Sequence, residues 1–378
     1  MNEAPRFAPY PRQRQPAYGR WLGLGASLLL LISSASALFN PLVESPVIAV
    51  LGAALLVLWL LALLLRVLFY RLNGHNAQCY DEAATRVACA WWQRHRDTAA
   101  LVESVLIAPA FTTLERSQKL LDPDGQPATP PEAKERMEVG LIQLMEHDSQ
   151  GRERELALIL AAQWRGQQPK PPPPWQPLRC YWLGSLGAWQ VFVDQSRTLF
   201  PALRLPQQPE PWLGIQTIDS IIDQLRDAPQ GSRMLCGGCQ SSTTAKNGLL
   251  PHGEAAVLWV IGQQGGVKMS RGEWFDADGE DLAVVAARAL EQGHLDAPTK
   301  ACFSFSQPNV PAVQALNWNL KPYLQDARFG ALADLEAMVL QTLAAWHAQE
   351  HGTPCAWLAN DPAHTLTLGV MQADDASH

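Results

Sequence analysis

The stretch "MLCGGCQSSTTAKNGLLPHGEAAVLW", Met234 to Trp259, decides how the rest of the chain is read. It holds a Cys-x-x-Cys pair, a glycine pair, a hydroxyl-rich run and a glutamate that opens an apolar strand. A structural zinc site needs four soft ligands, and Cys236 with Cys239 has no second pair downstream; His252 stands alone. A thioredoxin-like site needs the pair at a helix N-terminus, where the thiol pKa is lowered. Here "QSSTTAKNG" follows, which reads as loop. The expectation is therefore that Cys236 ends a buried strand, that Cys239 sits in the turn, and that no metal or cofactor is held here.

Outward from that stretch the pattern alternates. "AWQVFVD" reads as a strand, "IQTIDSIIDQLRD" as a helix, "SRMLCGG" and "AAVLWVIG" as strands, and "EDLAVVAARALEQG" as a helix. Then come "ACFSFS" as a strand, "LADLEAMVLQTLAAWHAQEHG" as a helix, and "PCAWLAN" and "TLTLGVMQ" as closing strands. Near-continuous apolar strands between amphipathic helices predict an α/β layered domain whose sheet is covered on both faces. It spans residues 175–373. Upstream, residues 71–174 form a mixed segment: a helical continuation to about residue 97, a strand "LVESVLIAP", a helix "PPEAKERMEVGLIQLMEH" and a helix "RERELALILAAQWRG". The tract "QQPKPPPPWQP" closes it as an extended spacer.

Residues 21–70 carry two uncharged apolar runs, "WLGLGASLLLLISSASALF" and "VIAVLGAALLVLWLLALLL", joined by "NPLVESP". Each is long enough to cross roughly 30 Å of hydrocarbon at about 1.5 Å per residue, which predicts a transmembrane helical hairpin. Arg6, Arg12, Arg14 and Arg20 precede the first run, and Arg66, Arg71 and Arg86 follow the second, while the turn has neither lysine nor arginine. Both termini, including the segment 1–20, are then expected on the cytoplasmic side of a bacterial inner membrane. Seven scattered cysteines are unlike a secreted disulfide framework and agree with that side. A net charge of −7 without a dense basic patch argues against nucleic acid as a partner.

Taken whole, the opening stretch resembles the β-ketoacyl synthase (thiolase-like) family. There a strand ending in a glycine pair is followed by a loop and by a "G-F-x-P-G-E-x-A" segment that enters a central strand. The matching residues are Gly237 and Gly238, then Gly248, Pro251, Gly253, Glu254, Ala255 and Ala256, with His252 inserted relative to the pattern. The resemblance covers residues 175 to 373 by element order, and it implies a thiolase-like fold. The family's nucleophile is a cysteine at the start of the helix matched by "IQTIDSIIDQLRD", where this chain has Gln216 and Thr217. Its two histidines belong in "CFSFSQPNVP" and "FGALADLE", and neither segment has one. His347 and His351 share a helix face, but "HAQEH" is not His-Glu-x-x-His. No catalytic residue is assigned, and the expectation is that the chain is not an enzyme.

A membrane-anchored, catalytically stripped thiolase-like domain resembles accessory proteins of type VI secretion lipase effectors, which implies a protein-binding adaptor. The alternatives are an acyl-thioester or acyl-carrier binding enzyme of the ketoacyl synthase type and an inner-membrane scaffold. Among 14 tryptophans, Trp175 in "PPPPWQP", Trp212 in "PEPWLG" and Trp274 in "RGEWFD" lie in proline- or glycine-bounded loops and are the candidate partner-binding anchors.

Overall fold

The computed structural model describes residues 5, 7–39, 45–108, 138–139, 148–169, 175–241, 252–306 and 310–374. They fall into two compact units, Met1–Gln93 and Arg94–His378.

The first unit is built on α1 (Tyr18–Phe39) and on α2, which starts at Ser45 and runs without a break to His95. Among the described residues one helix, from Val50 to His95, is long and apolar enough to cross a membrane. Its leucines face outward, with Leu51, Leu58, Leu64 and Leu65 exposed. Serines of α1 bond back one turn, Ser27 Oγ to Gly23 O at 2.9 Å and Ser33 Oγ to Leu29 O at 2.6 Å, the local side-chain-to-backbone bond open to serine within a helix. Small residues bring α1 and α2 together. A Cβ at Gly25 would meet the Trp59 ring at 2.6 Å, and one at Gly52 would meet Ile32 at 2.7 Å.

The second unit has a mixed α/β fold. Its strands are β1 (Ala99–Ile107), β2 (Glu138–Val139), β3 (Pro177–Leu183), β4 (Glu210–Pro211), β5 (Arg233–Ser241), β6 (His252–Gly262), β7 (Val267–Met269), β8 (Glu273–Phe275), β9 (Ala301–Ser304), β10 (Cys355–Ala359) and β11 (Leu366–Ala373). Its helices are α3 (Ser149–Gln167), α4 (Leu186–Leu199), α5 (Ile215–Asp227), α6 (Leu282–Gln292), α7 (Pro311–Ala315), α8 (Asp326–Phe329) and α9 (Glu336–His351). The sheet runs β4-β3-β5-β6-β1-β7-β11-β10-β9, with β2 on β6 and β8 on β11. Each end repeats one scheme. Parallel β3 and β5 are followed by antiparallel β6, and parallel β9 and β10 by antiparallel β11.

Side-chain alternation turns this ribbon into five layers. Val257, Trp259 and Ile261 of β6 point to an inner core shared with α5 and α9, whereas Ala256, Leu258 and Val260 point to an outer core with α3 and α4. At the other end Phe303 and Trp357 face the same inner core, and Cys302, Ala356 and Leu358 face a third core with α6. The order is helices, half-sheet, helices, half-sheet, helices. Two polar clips fix the inner layer: Trp259 Nε1 donates to Thr342 Oγ1 at 2.8 Å, and Trp346 Nε1 to Ser104 Oγ at 2.8 Å. Ala256 is fully buried in the central strand. Ala256→Leu is therefore expected to cost about 1–3 kcal/mol by overpacking, read as a fall in melting temperature.

Several sequence expectations need correction. "AWQVFVD" is helix, not strand. Ser185 Oγ caps it by accepting from Ala188 N at 3.3 Å, and Ala188, Trp189, Phe192, Val193 and Ser196 are buried at helical spacing. Glu138–Val139, expected inside a helix, pairs with His252 and Gly253 as a parallel strand; the rest of that expected helix lies outside the described residues. β1, from upstream of the proline tract, lies between β6 and β7, so the α/β sheet expected over residues 175–373 also takes in a strand from the segment 71–174. Cys239 is not in a turn: β5 continues to Ser241.

Candidate functional site

The opening stretch is resolved by strand periodicity. Cys236 and Cys239 are three apart in one strand, so their side chains leave opposite faces of the sheet. Cys236 lies in the inner core and Cys239 in the outer one. That placement rules the pair out as a two-ligand clip or a disulfide. The glycine pair between them admits β3: a Cβ at Gly238 would meet Leu183 O at 2.7 Å, and one at Gly237 the Trp182 ring at 2.9 Å. Purified full-length protein is expected to carry no zinc that Cys239→Ser removes, as metal analysis would show.

Downstream, Gly253 passes tightly over the segment that leads into α9. Its N–H donates to Ala331 O at 3.2 Å, and a Cβ there would collide with Phe329 O. Glu254, almost fully buried, is held as a fork by the Arg152 guanidinium, with Nη2 at 2.8 Å from Oε2, and accepts from Ser241 Oγ at 2.7 Å. The glutamate that opens the apolar strand is thus a paired structural charge.

Four segments meet at the carboxyl ends of the parallel strands, where α/β folds place their ligands. The first is the start of α5. Gly214 adopts φ 61° and ψ −135°, which only glycine takes readily, and a Cβ there would strike the Asp361 carboxylate. Asp361 Oδ2 accepts from Ile215 N at 3.2 Å, and its Oδ1 accepts from Ala363 N at 3.0 Å. A carboxylate therefore occupies the helix N-terminus, where backbone N–H groups and the helix dipole favour an anion. Thr217 is buried, and its hydroxyl accepts from Leu213 N at 2.7 Å; Gln216 points to solvent. Asp361→Ala is expected to cost about 1 kcal/mol through loss of the cap, measurable by denaturation.

The second segment is the start of α9, where Glu336 is buried and accepts from Asn360 Nδ2 at 2.8 Å. Burial pushes its carboxyl up to about 8, with Asn360 pulling the other way and Asp326 adding a smaller upward push. The third is the end of β9, where Ser306 N and Oγ donate to Asp326 at 2.8 and 2.6 Å. The fourth is the turn after β10, which supplies Asn360 and Asp361. Asp361, Asn360 and Glu336 carry no motif signal in the sequence; only the turn-forming Asp361-Pro362 dipeptide marks the place.

The cysteines of this unit are all buried in strands. Burial raises the Cys180 thiol to about 12 and lifts Cys236, Cys239, Cys302 and Cys355 as well. His347 is packed between the Phe303 and Tyr323 rings at 5.8 Å each, and its pKa is lowered to about 4, first by burial and then by His351. Among the described residues no group of three or more His, Cys, Asp or Glu side chains is arranged to hold a metal ion.

The three candidate anchor tryptophans do not form one exposed patch. Trp212 is 7% exposed and packs edge-on against Trp259 at 5.7 Å in the inner core. Trp175 is half-buried against Trp164 at 6.3 Å, with the Arg233 guanidinium 5.5 Å from its ring. Trp274 is half-buried and stacks on His364 at 4.9 Å, the His364 Nδ1 lying 3.2 Å from Asp276 Oδ2. Trp212 is spent on packing in the inner core, whereas Trp274 lies not in a loop but in strand β8, as the register partner of Thr367 in β11.

No family model matches the chain, and no curated protein does. Solved structures are similar. The ishigamide ketosynthase/chain length factor matches at 14% identity with a TM-score of 0.48, over 73% of this chain and 99% of that one. The acyltransferase ChlB3 matches at 13% and 0.45, over 73% and 98%. A variant of Xanthomonas campestris OleA bound with cerulenin matches at 10% and 0.39, over 73% and 96%.

Proposed function

We propose that the chain is a membrane-anchored, non-catalytic thiolase-like protein that works by binding another protein. The observation that carries this is the Asp361 carboxylate seated on the N-terminus of α5 against Gly214, where the resemblance puts a nucleophilic cysteine. A thiolate and a side-chain carboxylate compete for one anion position, and here the chain's own side chain fills it. Acyl transfer also needs an ionisable thiol, whereas burial holds the unit's cysteines protonated. The five-layer order supports the thiolase-like reading. The contacts of Gly25 and Gly52 support a two-span hairpin, and the arginine-bearing flanks support cytoplasmic termini.

The particular form implied by the sequence resemblance is an adaptor for a type VI secretion lipase effector. The test uses the full chain in detergent or nanodiscs. It should capture a lipase effector encoded in the same locus and should hydrolyse acyl-coenzyme A no faster than buffer. Turnover that disappears on Cys236→Ser or Cys302→Ser would replace this reading with the acyl-thioester enzyme. Trp212→Ala is a poor probe of capture, because emptying a buried tryptophan site costs about 3–5 kcal/mol.

A further inference from the structure

We infer that the first unit carries a collar of arginines that binds the phosphodiester headgroup of an anionic glycerophospholipid, and this rests on the membrane-anchored reading proposed above. Two cross-contacts bracket the collar. Gln13 N donates to Asn73 Oδ1 at 2.9 Å, and a Cβ at Gly25 would meet the Trp59 ring at 2.6 Å. Residues 13–25 and 59–73 therefore run between the same two contacts, over about 21 Å of α2 at about 1.5 Å per residue. Arg14, Arg20, Arg66 and Arg71 all fall in these intervals, which contain no aspartate or glutamate. None of the four guanidinium groups makes an ion pair or hydrogen bond among the described residues. The next acid downstream, Asp81, is held by Arg12 at 2.7 Å. It lies about 15 Å of helix beyond Arg71, past the screening length of about 8 Å at physiological salt.

The same stretch is where the surface changes character. Leu61, Leu64 and Leu65 are exposed just before Arg66, while Tyr18, Trp21 and Tyr70 stand in sequence beside the arginines. Outward leucines belong against acyl chains, and tyrosine and tryptophan gather at the level of lipid headgroups. A molecule that meets this frontier presents a phosphate next to an acyl tail, which is the chemistry of a phospholipid. Orientation of the spans asks only for positive charge, from lysine or arginine alike. Here all four cations are arginine, whose planar fork takes two phosphate oxygens at once, whereas an ammonium is a point charge. A zwitterionic headgroup would bring a further cation into four uncompensated ones. An anionic headgroup neutralises them instead.

The full chain in detergent micelles should be offered equal amounts of dioleoyl phosphatidylglycerol and dioleoyl phosphatidylcholine, and the retained lipids counted by native mass spectrometry. Phosphatidylglycerol is expected to be retained about tenfold over phosphatidylcholine. The fourfold variant Arg14→Gln, Arg20→Gln, Arg66→Gln and Arg71→Gln should bring that ratio to about one, and the charge-preserving variant Arg14→Lys, Arg20→Lys, Arg66→Lys and Arg71→Lys should lower it about threefold. Three of the four sites are exposed and Arg66 is half-buried, so the melting temperature should hold in both. Excess soluble glycerol phosphate should leave the ratio unchanged. Equal retention of the two lipids by the parent, or the parent's ratio in the glutamine variant, would overturn the collar. A lysine variant that matches the parent would reduce phosphate recognition to net charge, and competition by glycerol phosphate would replace the lipid with a soluble ligand. Carbonate washing of membranes separates the two levels of the reading. A chain that sediments with the membrane but shows no lipid preference overturns lipid binding alone, whereas a chain released to the supernatant overturns the anchor and the collar with it.

Discussion

Glu273→Ala is expected to cost about 3 kcal/mol of unfolding free energy. Glu273 is fully buried; its Oε2 meets Arg288 Nη2 at 3.1 Å and its Oε1 accepts from Gln292 Nε2 at 2.6 Å. Burial raises its carboxyl to about 7 in spite of the nearby guanidinium. Removing it strands most of the Arg288 charge inside the fold, with Glu280 as the remaining carboxylate partner. Truncating one member of a buried pair costs about 3–5 kcal/mol, and Glu280 places the loss at the lower end. The double variant Glu273→Leu with Arg288→Met should recover most of the loss, because it removes the stranded charge together with its partner. Urea denaturation of the full chain measures both. A single variant as stable as the parent would mean that the guanidinium finds water when the carboxylate is gone.

The second large effect is on pH dependence. Glu336 titrates at about 8 in the folded chain against an ordinary value of 4.5. The folded state therefore holds a proton that the unfolded state releases, and stability falls as pH rises through that window, by at most about 1.4 kcal/mol per pH unit for one proton. Glu273 acts in the same direction up to about 7. His347, lowered to about 4 from 6.5, acts in the opposite direction between those two values. Glu336 should therefore be most visible between about pH 6.5 and 8. Glu336→Gln keeps an acceptor for Asn360 without an ionisable proton, so its melting temperature should exceed the parent's at about pH 8 and converge with it near pH 5. Parallel curves for parent and variant from about pH 6 to 8.5 would mean that Glu336 is ionised and solvated when folded.

Much of the fold was legible because period is a local property. The alternation in "AAVLWVIG" describes a strand buried on both faces, and the structure divides its side chains between two cores. "IQTIDSIIDQLRD" matches the bounds of α5 residue for residue. The miss at "AWQVFVD" shows where a short window fails: its apolar residues satisfy period 2 locally, but the Ser185 cap and the longer spacing to Phe192 and Ser196 satisfy period 3.6. The burial of Trp212 was not legible for a different reason. Whether a loop aromatic faces solvent depends on what packs over the loop, and Trp259, which covers Trp212, is 47 residues away in sequence.

Composition, period and spacing belong to the chain before it folds, so an apolar helix long enough to cross a membrane, an α/β body and the lack of a second Cys-x-x-Cys pair could be read from the residues directly. Other features exist only once the layers have assembled: β1 joins the two half-sheets, Cys236 and Cys239 face away from each other, and Asp361 caps the N-terminus of α5. These are long-range facts. Asp361 lies 146 residues from the N–H that it caps, and no local propensity encodes that meeting; it follows from the layering that brings the ends of parallel strands together.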